Sequence, residues 1–590
     1  MSRKQRLELT WIGKDERPRL EARILLEDAE KSYHAAKRVS ENDIFDNRLI
    51  FADNLLALKA LEQELTGKIR CIYIDPPFNT GEAFEHYDDG VEHSIWLSLM
   101  RDRIEILHSL LSNEGTLAVH IDDNELGYLI ALCDEIFGRK NRQSVVTFKQ
   151  SSVSGPKSIN PGIITIANYV VIYAKEKSTW KPNRVLQPVE RDRRYTKCIA
   201  NYDDDFSSWR LIGIRDALAV ENNISKDDLS EKYGDTLDVA IDDFVLRNAG
   251  RVVRTARVKD KDVNENARKA LQQSRVSRDV VQRSERTGKS DYYFLNGEQL
   301  LFYQSKVKEV DGHSVAGVGL SNIWADLLSN NLHAEGGVTF PKGKKPEALI
   351  KRIFELFSDK KDIVLDSFAG SGTTGAVAHK MGRRWIMVEL GEHCHTHIIP
   401  RLKRVIDGED SSGITEAVNW KGGGGFRYYR LAPSLLEKDR WGNWIISTDY
   451  NSAMLTEAVC KLMGFTYAPS EQYYWMHGRS SENDFIFITT QSLTHNQLKA
   501  ISEEVGDERT LLICCKAFRA NLDAFSNLTV RKIPQAVLRK CEWGKDDYSL
   551  NVANLPMATP TPEDPELDDK TAKGKRARAR QDDLFAGAHK

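Results

Sequence analysis

The sequence predicts an α/β fold built on an open sheet of parallel strands, and three short apolar runs carry that prediction. Each run reads as a buried strand that ends directly at a carboxylate. Ligands of open α/β sheets lie outside the carboxyl ends of the strands, so we expect the loop that begins at Asp75 to lie over a binding crevice. The runs and their acids are residues 71–74 with Asp75, residues 363–365 with Asp366, and residues 385–388 with Glu389.

The first acid opens the segment DPPFNTG, whose composition predicts a pocket for a flat aromatic amine. Asp75 and the carbonyl of Pro76 can only accept hydrogen bonds, so both could hold the protons of an amine. The two prolines stiffen the loop, and Phe78 offers a ring face for a heterocycle, although simple packing is its alternative role. The predicted catalytic residues are Asp75, Pro76, Pro77 and Phe78.

The second acid opens DSFAGSGTTG, whose glycines allow close backbone approach before a helix predicted over residues 374–380. Its GxGxxG spacing is a weak signal that leaves a nicotinamide-dependent oxidoreductase as an alternative. Glu389 lies about 20 residues beyond the first of these glycines, where a carboxylate can bind ribose hydroxyls. An ATP-type phosphate loop is excluded, because Ala376 and Val377 stand where Lys and Ser or Thr must follow the last glycine.

Together, DPPF and FAGSGTTG resemble the amino-methylating DNA methyltransferases, and the order of the two loops resembles the beta-class permutation. The segments HSIWLSLMRDRIEIL, NYVVIYAK and KGGGGFRYYRL resemble the modification subunits of type III restriction-modification systems. The resemblance implies a circularly permuted, Rossmann-like methyltransferase sheet, with S-adenosylmethionine as cofactor and duplex DNA as substrate. Relatives that methylate cytosine usually carry Ser at the position of Asp75, so adenine N6 is the implied target. A cytosine-N4 enzyme and a solitary adenine methyltransferase remain alternatives.

The resemblance also implies residues that bind the cofactor. Asp366 and the loop after it would hold the methionine part, and Glu389 the ribose. The segment FPKGKKPEALI resembles an FxxPKPxxLI element that contacts the cofactor, although Lys344 stands where Pro is usual; a solvated basic loop is the alternative. The implied cofactor-binding residues are Asp366, Phe368, Ala369, Gly370, Ser371, Gly372, Thr373, Glu389, Lys345 and Pro346.

Local charge must supply any affinity for DNA, because the net charge of the chain is −2. Residues 247–289 are rich in Lys and Arg, whereas residues 203–243 are rich in Asp and Glu. The basic stretch lies between the two motifs, where relatives insert a target recognition domain, so we expect phosphate contacts there. A solvated helix face is the alternative. The predicted DNA-binding residues are Arg247, Arg251, Arg254 and Arg257.

Six segments follow from these patterns. They are an N-terminal extension (1–48), the catalytic half of the methyltransferase domain (49–180), the target recognition domain (181–320), the cofactor half (321–430), a C-terminal α/β domain for dimer or partner contacts (431–555) and a disordered tail (556–590).

Composition narrows the remaining possibilities. No run approaches the roughly 18 apolar residues of a membrane helix, and a secretory apolar core is missing, so we expect a cytoplasmic protein without membrane contact. Eight cysteines without a CxxC pair argue against a disulfide framework or a zinc ribbon. The cluster of His393, Cys394, His395 and His397 is interpreted as structural, and no metal is predicted.

Partners are implied by the resemblance and by the tail. The family implies a homodimer, and a separate ATP-dependent subunit would have to supply any restriction activity. The tail peptide QDDLF resembles the QLxLF peptides that bind bacterial sliding clamps, through Gln581, Leu584 and Phe585, although a chance match is favoured. A catalytically silent DNA-recognition subunit is a further alternative, against which the intact carboxylates argue.

Overall fold

The computed structural model describes residues 8–77, 89–151, 162–188, 190–288, 290–310, 313–327, 332–340 and 343–549. The predicted catalytic Phe78 lies outside the described residues, as does the clamp-like peptide with Gln581, Leu584 and Phe585.

The N-terminal third of the chain builds one half of a large mixed sheet. Its strands are β1 (Leu25–Glu27), β2 (Tyr33–His34), β3 (Asn47–Phe51), β4 (Ile69–Ile74), β5 (Leu111–Ile121), β6 (Arg142–Lys149) and β7 (Ala167–Ala174). Its helices are α1 (Asn54–Leu65), α2 (Asp89–Leu110) and α3 (Leu126–Cys133).

The inserted region has its own sheets and its own small core. Its strands are β8 (Leu186–Pro188), β9 (Lys197–Ile199), β10 (Leu211–Gly213), β11 (Val252–Arg257), β12 (Gln282–Ser284), β13 (Tyr292–Leu295), β14 (Glu298–Phe302), β15 (Val307–Val310) and β16 (His313–Gly319). Its helices are α4 (Ile214–Glu221), α5 (Asp228–Tyr233), α6 (Leu237–Arg247) and α7 (Glu265–Val276). Residues of α4, α6 and β11 share a buried cluster that is separate from the cores of the large sheet.

The large sheet then resumes, and a smaller α/β unit follows it. The second half of the sheet holds β17 (Ile323–Trp324), β18 (Ile363–Asp366), β19 (Arg384–Glu389) and β20 (Gly425–Leu431), with α8 (Glu347–Phe357), α9 (Thr373–Lys380) and α10 (Ile399–Asp407). The last unit holds β21 (Leu436–Lys438), β22 (Trp444–Ile446), β23 (Thr466–Tyr467), β24 (Gly478–Arg479), β25 (Asp484–Thr494), β26 (Thr510–Arg519) and β27 (Leu528–Lys532), with α11 (Ser452–Met463) and α12 (His495–Val505).

The strand order of the large sheet brings the two halves of the chain together. The path runs β1, β20, β3, β19, β18, β4, β5, β7, β6 and β17, and β2 pairs with β20. β18 is parallel to both β19 and β4, and β7 is antiparallel to its neighbours β5 and β6. This arrangement confirms the predicted Rossmann-like methyltransferase sheet, with the catalytic half before the cofactor half. The N-terminal extension is not separate from that sheet, since β1 and β2 both pair with β20.

Alternate residues of the central strands pack into two cores that lie on opposite faces of the sheet. Ile72 and Ile74 of β4 pack with the helices of the catalytic half, α1 to α3. Cys71 and Tyr73 point the other way and pack with α8, α9 and α10 of the cofactor half. Strands that are buried on both faces read as unbroken apolar runs, which is why the sequence revealed β4, β18 and β19.

A buried ionic network fixes the start of α8 against the cofactor half. The carboxylate of Glu347 accepts from Arg401 at 2.7 Å and from Lys380 at 2.8 Å, and all three side chains are fully buried. Lys380 also pairs with Asp410 at 2.7 Å. Arg401 donates in addition to the hydroxyl of Thr373 at 2.7 Å. The network therefore joins α8, α9 and α10, and removing Glu347 would leave the buried guanidinium of Arg401 without its carboxylate partner.

We predict that Glu347→Ala destabilises the protein by about 3–5 kcal/mol, because Arg401 and Lys380 would lose their shared buried partner. Urea unfolding followed by tryptophan fluorescence measures the change. Glu355→Ala is the matched control, since its partner Lys351 lies on the same helix and both side chains are partly exposed. That control should cost about 1 kcal/mol or less. Equal losses for both variants would contradict the importance of the network.

Candidate active site

Two of the three predicted carboxylates line one cavity of about 490 Å³ at the carboxyl edge of the sheet. Asp75 follows β4 and Glu389 ends β19, and both face the cavity. Asp366 ends β18 between them but lies behind the wall, with its neighbour Ser367 at the surface of the cavity. The cavity is therefore shared by Asp75 and Glu389, and Asp366 does not line it.

The catalytic loop is held from both sides. The indole nitrogen of Trp96 on α2 donates to the carbonyl of Pro77 at 3.0 Å. The ammonium group of Lys345 donates to Oδ2 of Asp75 at 2.5 Å. Oδ1 of Asp75 is buried and has no hydrogen-bond partner among the described residues. Burial raises the pKa of Asp75, and the charge of Lys345 opposes that rise. The carboxylate thus has one oxygen anchored by Lys345 and one oxygen whose acceptor capacity is unused in the described part of the chain.

The glycine loop between β18 and α9 forms the adjoining wall. Gly370 and Gly372 adopt φ angles of 53° and 75°, a backbone region that other residues rarely enter. A Cβ atom on Gly372 would also meet Ile398 at 3.0 Å. Phe368 and Gly370 face the cavity, and the buried hydroxyl of the lining residue Ser367 has no hydrogen-bond partner in the part of the chain that the structure describes. The loop therefore offers apolar, backbone and hydroxyl surface to a ligand.

The remaining predicted loop residues have structural contacts behind that wall. Arg401 donates to the hydroxyl of Thr373 at 2.7 Å and to the carbonyl of Ser371 at 3.3 Å. The amide of Ala369 donates to Val388 at 3.1 Å. Pro346 precedes α8, and its neighbour Lys345 faces the cavity but contacts Asp75. The direct role in cofactor binding that the resemblance implies remains a prediction for these residues.

Asp366 is a buried acid whose hydrogen bonds come from uncharged groups. Its Oδ1 accepts from the amide of Phe368 at 2.9 Å. Burial raises its pKa to about 7, while hydrogen bonds from Thr374 and Phe368 oppose the rise and the charges of Asp75 and Glu389 add to it. Asp366 therefore changes charge near neutral pH.

Glu389 is tied into the loops that flank it. Its oxygens accept from the amides of Gly370 at 2.8 Å, and of Leu390 and Gly391 at 2.9 Å each. His393 lies 3.0 Å away, and its bond to Glu389 raises the pKa of the imidazole. The carboxylate is thus oriented by backbone donors at the cavity edge, which suits it to accept hydrogen bonds from a further ligand.

A second charged wall of the cavity was not predicted from the sequence. Arg103 on α2 lies within 3.4 Å of Asp53, which follows β3, and it donates to the carbonyl of Tyr548 at 3.0 Å. The amide of Tyr548 donates to Asp53 at 3.0 Å, and Ser549 lines the cavity. Asp53 also follows a parallel strand, so the same reasoning could have found it. Nothing in the sequence signals that residues near 548 return to this cavity.

The histidine cluster after β19 has contacts of a structural kind. His395 lies 2.8 Å from the hydroxyl of Tyr428, and His397 lies 3.1 Å from the carbonyl of Thr339. Within the described ranges, no group of three or more His, Cys, Asp or Glu side chains could hold a metal ion. In the same part of the chain, no helix has the length and apolar character needed to span a membrane.

The four predicted DNA-binding arginines do not form one surface. Arg247 pairs with Glu221 at 2.8 Å and Asp243 at 2.9 Å, and Arg251 also approaches Glu221. The guanidinium of Arg254 lies over the ring of Tyr195. Arg257 leaves 95% of its side chain exposed and has Glu298 at 3.7 Å. Since Arg254 and Arg257 are three positions apart on β11, they point to opposite faces of the strand, and Arg257 is the most available to a phosphate.

A protein-family profile described as "DNA methylase" matches residues 69–400, more than half of the chain. That span contains β4 with its DPPF loop, the inserted region, and β18 with its glycine loop. The chain belongs to the DNA methylase family. The predicted resemblance to amino-methylating DNA methyltransferases is confirmed.

Curated relatives of this DNA methylase include modification subunits. The "Probable type III restriction-modification enzyme HindVI Mod subunit" of Haemophilus influenzae is 32% identical over 447 residues, which cover 69% of this chain and 56% of that protein. The "Type III restriction-modification enzyme EcoP15I Mod subunit" of Escherichia coli is 25% identical over 502 residues, covering 74% of this chain and 73% of that protein. The match to the first relative therefore spans little more than half of its length.

Solved structures with similarity to this DNA methylase include the PvuII DNA methyltransferase, described as cytosine-N4-specific. It is 12% identical, with a TM-score of 0.31, and the match covers 66% of this chain and 95% of that one. The complex of M1.HpyAVI with SAM is also 12% identical, with a TM-score of 0.29, covering 60% of this chain and 98% of that one.

We predict that Asp366→Asn stabilises the protein at pH 8 by about 1–4 kcal/mol. An acid whose pKa is raised by folding makes the native state lose stability as pH rises from its ordinary pKa to about 7. Asn removes that charge and keeps an acceptor for Phe368. Chemical unfolding at several pH values should show the advantage of the variant shrinking as pH falls toward 5. A constant advantage at all pH values, or an equal gain from the partly exposed Asp362→Asn, would contradict the burial of an ionised Asp366.

Proposed function

We propose that this protein transfers the methyl group of S-adenosylmethionine to the exocyclic N6 amine of adenine in duplex DNA. The observation that carries the proposal is that Asp75 lines the same cavity as the glycine loop, and that its buried Oδ1 has no hydrogen-bond partner among the described residues. Membership of the DNA methylase family supports the reaction class. The proposed DNA substrate also favours the cytoplasm as the place of action.

The cavity suits a sulfonium nucleoside. Its volume of about 490 Å³ lies within the usual range for small-molecule sites. Glu389 can accept from ribose hydroxyls, while Phe340, Val388 and Leu390 provide apolar surface for a flat base. Ser367 and the loop through Gly370 can hold the amino-acid end. When bound, S-adenosylmethionine supplies a methyl group that is already activated for transfer.

The protein's own contribution is to hold and activate the amine. The lone pair of an aromatic amine is delocalised into its ring, so the amine is a poor nucleophile. Asp75 Oδ1 and the Pro76 carbonyl can accept its two protons and favour the pyramidal geometry in which the lone pair is free. Pairing of the base inside a duplex hides this amine, so the reaction requires the base to be flipped out, at about a few kcal/mol. The cavity then aligns the reactants and excludes water.

We also propose that the protein is the modification subunit of a type III-like system, because its curated relatives carry that description. In that setting it would be a homodimer and would act beside a separate ATP-dependent restriction subunit. The alternative with a specific observation is cytosine-N4 methylation, since the matching family also includes that chemistry in its short name, N6_N4. Mapping the modified base decides between the two.

The test is methyl transfer from tritiated S-adenosylmethionine to plasmid DNA, with single-molecule sequencing to identify the modified base. Asp75→Ala should abolish transfer and leave binding of S-adenosylhomocysteine within about twofold of wild type in calorimetry, because Asp75 holds the amine. Gly372→Asp should abolish that binding, since the position has a φ of 75° and is crowded by Ile398. Near-normal turnover by Asp75→Ala, or no transfer by the wild type, would overturn the proposed function.

For the recognition insert, we predict that Arg257→Ala weakens DNA binding and lowers the slope of log affinity against log salt by about 1. Its exposed guanidinium can contact one phosphate and release the counterions there. Arg247→Ala is the control, because Glu221 and Asp243 already neutralise that side chain. Fluorescence anisotropy at several salt concentrations gives both slopes. An unchanged slope for Arg257→Ala would assign it to ordinary surface.

A further inference from the structure

The contact between Lys345 and Asp75 goes beyond a role in cofactor binding. Lys345 comes from the segment before α8, in the cofactor half, yet its ammonium group donates to Oδ2 of Asp75 at 2.5 Å in the catalytic half. The lysine side chain is only 6% exposed. A buried lysine placed on a catalytic carboxylate affects both the charge and the orientation of that carboxylate.

We propose that Lys345 is a positioning residue for Asp75: its charge keeps the carboxylate ionised and its bond to Oδ2 turns Oδ1 toward the base amine. The inference rests on the proposed methyl transfer. A protonated Asp75 would carry a hydrogen on one oxygen and could not accept freely from an amine. A lysine is a compact point charge, so it can occupy one carboxylate oxygen and leave the other open.

The surroundings of Asp75 explain why a cation is required there. Asp75 is largely buried, and burial disfavours its charged form. Its neighbours include a second acid, Asp366, and the phenol of Tyr73, whose pKa burial raises well above its ordinary value. The buried His120 is hydrogen-bonded to Tyr73 and Asn168. Burial lowers the pKa of its imidazole, so the ring stays neutral. The other charged side chains lining the cavity are Asp53, Arg103, Glu389 and His393.

The position of Lys345 is also fixed independently of Asp75. Two residues later, Glu347 enters the buried network with Arg401 and Lys380. Arg401 in turn holds Thr373 at the start of α9. Residues 345–347 therefore contact Asp75 through Lys345. Through Glu347 they also contact Arg401, which supports the glycine loop.

The experiment compares Lys345→Gln, Lys345→Arg and Lys345→Met in pH profiles of kcat at saturating S-adenosylmethionine. Gln keeps a donor but removes the charge, and Arg keeps the charge. Without the cation the pKa of Asp75 rises, so activity should be lost at a higher pH as the solution is acidified. A rise of one in that pKa lowers kcat about tenfold at any fixed pH on the acidic limb. Arg should restore the wild-type limb, and calorimetry with S-adenosylhomocysteine should stay within about twofold of wild type.

Lys351→Gln is the matched control, because it removes another lysine–carboxylate pair, with Glu355 at 2.7 Å, away from the cavity. It should leave the pH profile unchanged. A wild-type acidic limb in Lys345→Gln would overturn the inference. So would a tenfold loss of S-adenosylhomocysteine affinity with an unmoved limb, which would make Lys345 a cofactor ligand. The same profiles measured in an Asp366→Asn background separate the titration of Asp366, whose pKa is about 7, from that of Asp75.

A second measurement separates failure of this inference from failure of the proposed function, because it needs no activity. The melting temperature of Lys345→Met should lie below that of wild type at pH 8, and the gap should shrink as pH falls and Asp75 takes up a proton. In an Asp75→Asn background, Lys345→Met should lower the melting temperature only slightly. If the gap does not depend on pH, or is equal in both backgrounds, Lys345 does not act through the charge of Asp75.

Discussion

The parallel pairing of β4 with β18 is the constraint on which the site depends. The two strands lie far apart in the sequence, yet Val364 pairs with Cys71 and Leu365 with Ile72. Parallel neighbours end at the same edge of a sheet, so the loops that follow them must face one cavity. The loop after β4 and the glycine loop line one cavity because of this pairing, whichever half of the domain comes first in the chain.

Bringing acids together at a buried edge has an energetic consequence. Like charges and burial both raise a carboxylate's pKa, and Asp366 accordingly titrates near neutrality. The segment around Pro346 opposes the rise in the pKa of Asp75 by placing the cation of Lys345 beside it. The same segment places the carboxylate of Glu347 beside Arg401 and Lys380. These charges lie on both halves of the sheet. The segment therefore stabilises the association of the halves and the ionisation of the site together.

The sequence predicted much of this arrangement because buried parallel strands read as apolar runs with an acid at the end. Asp75 and Glu389 face the cavity for that reason. The contacts of Lys345 could not be predicted. A motif indicates which residues lie near a cofactor, but it does not show which partner a flexible side chain contacts. Arg257 and Arg247 looked equivalent in a basic stretch, but Arg247 has two acids within 2.9 Å, whereas Arg257 has only Glu298 at 3.7 Å among the described ion pairs and is far more exposed. Hydrogen bonds with Arg103 and Asp53 hold Tyr548 beside the cavity, and no sequence pattern predicts these distant contacts.

One oxygen of Asp75 is expected to hold the target amine while Lys345 holds the other. A crystal structure of the protein with a target duplex and a non-reactive analogue of S-adenosylmethionine would show both contacts at once. We expect a flipped adenine whose N6 lies about 3 Å from Oδ1 of Asp75, with Lys345 still on Oδ2. A flipped base whose amine contacts other groups, or Lys345 bound to the analogue and away from Asp75, would contradict this assignment.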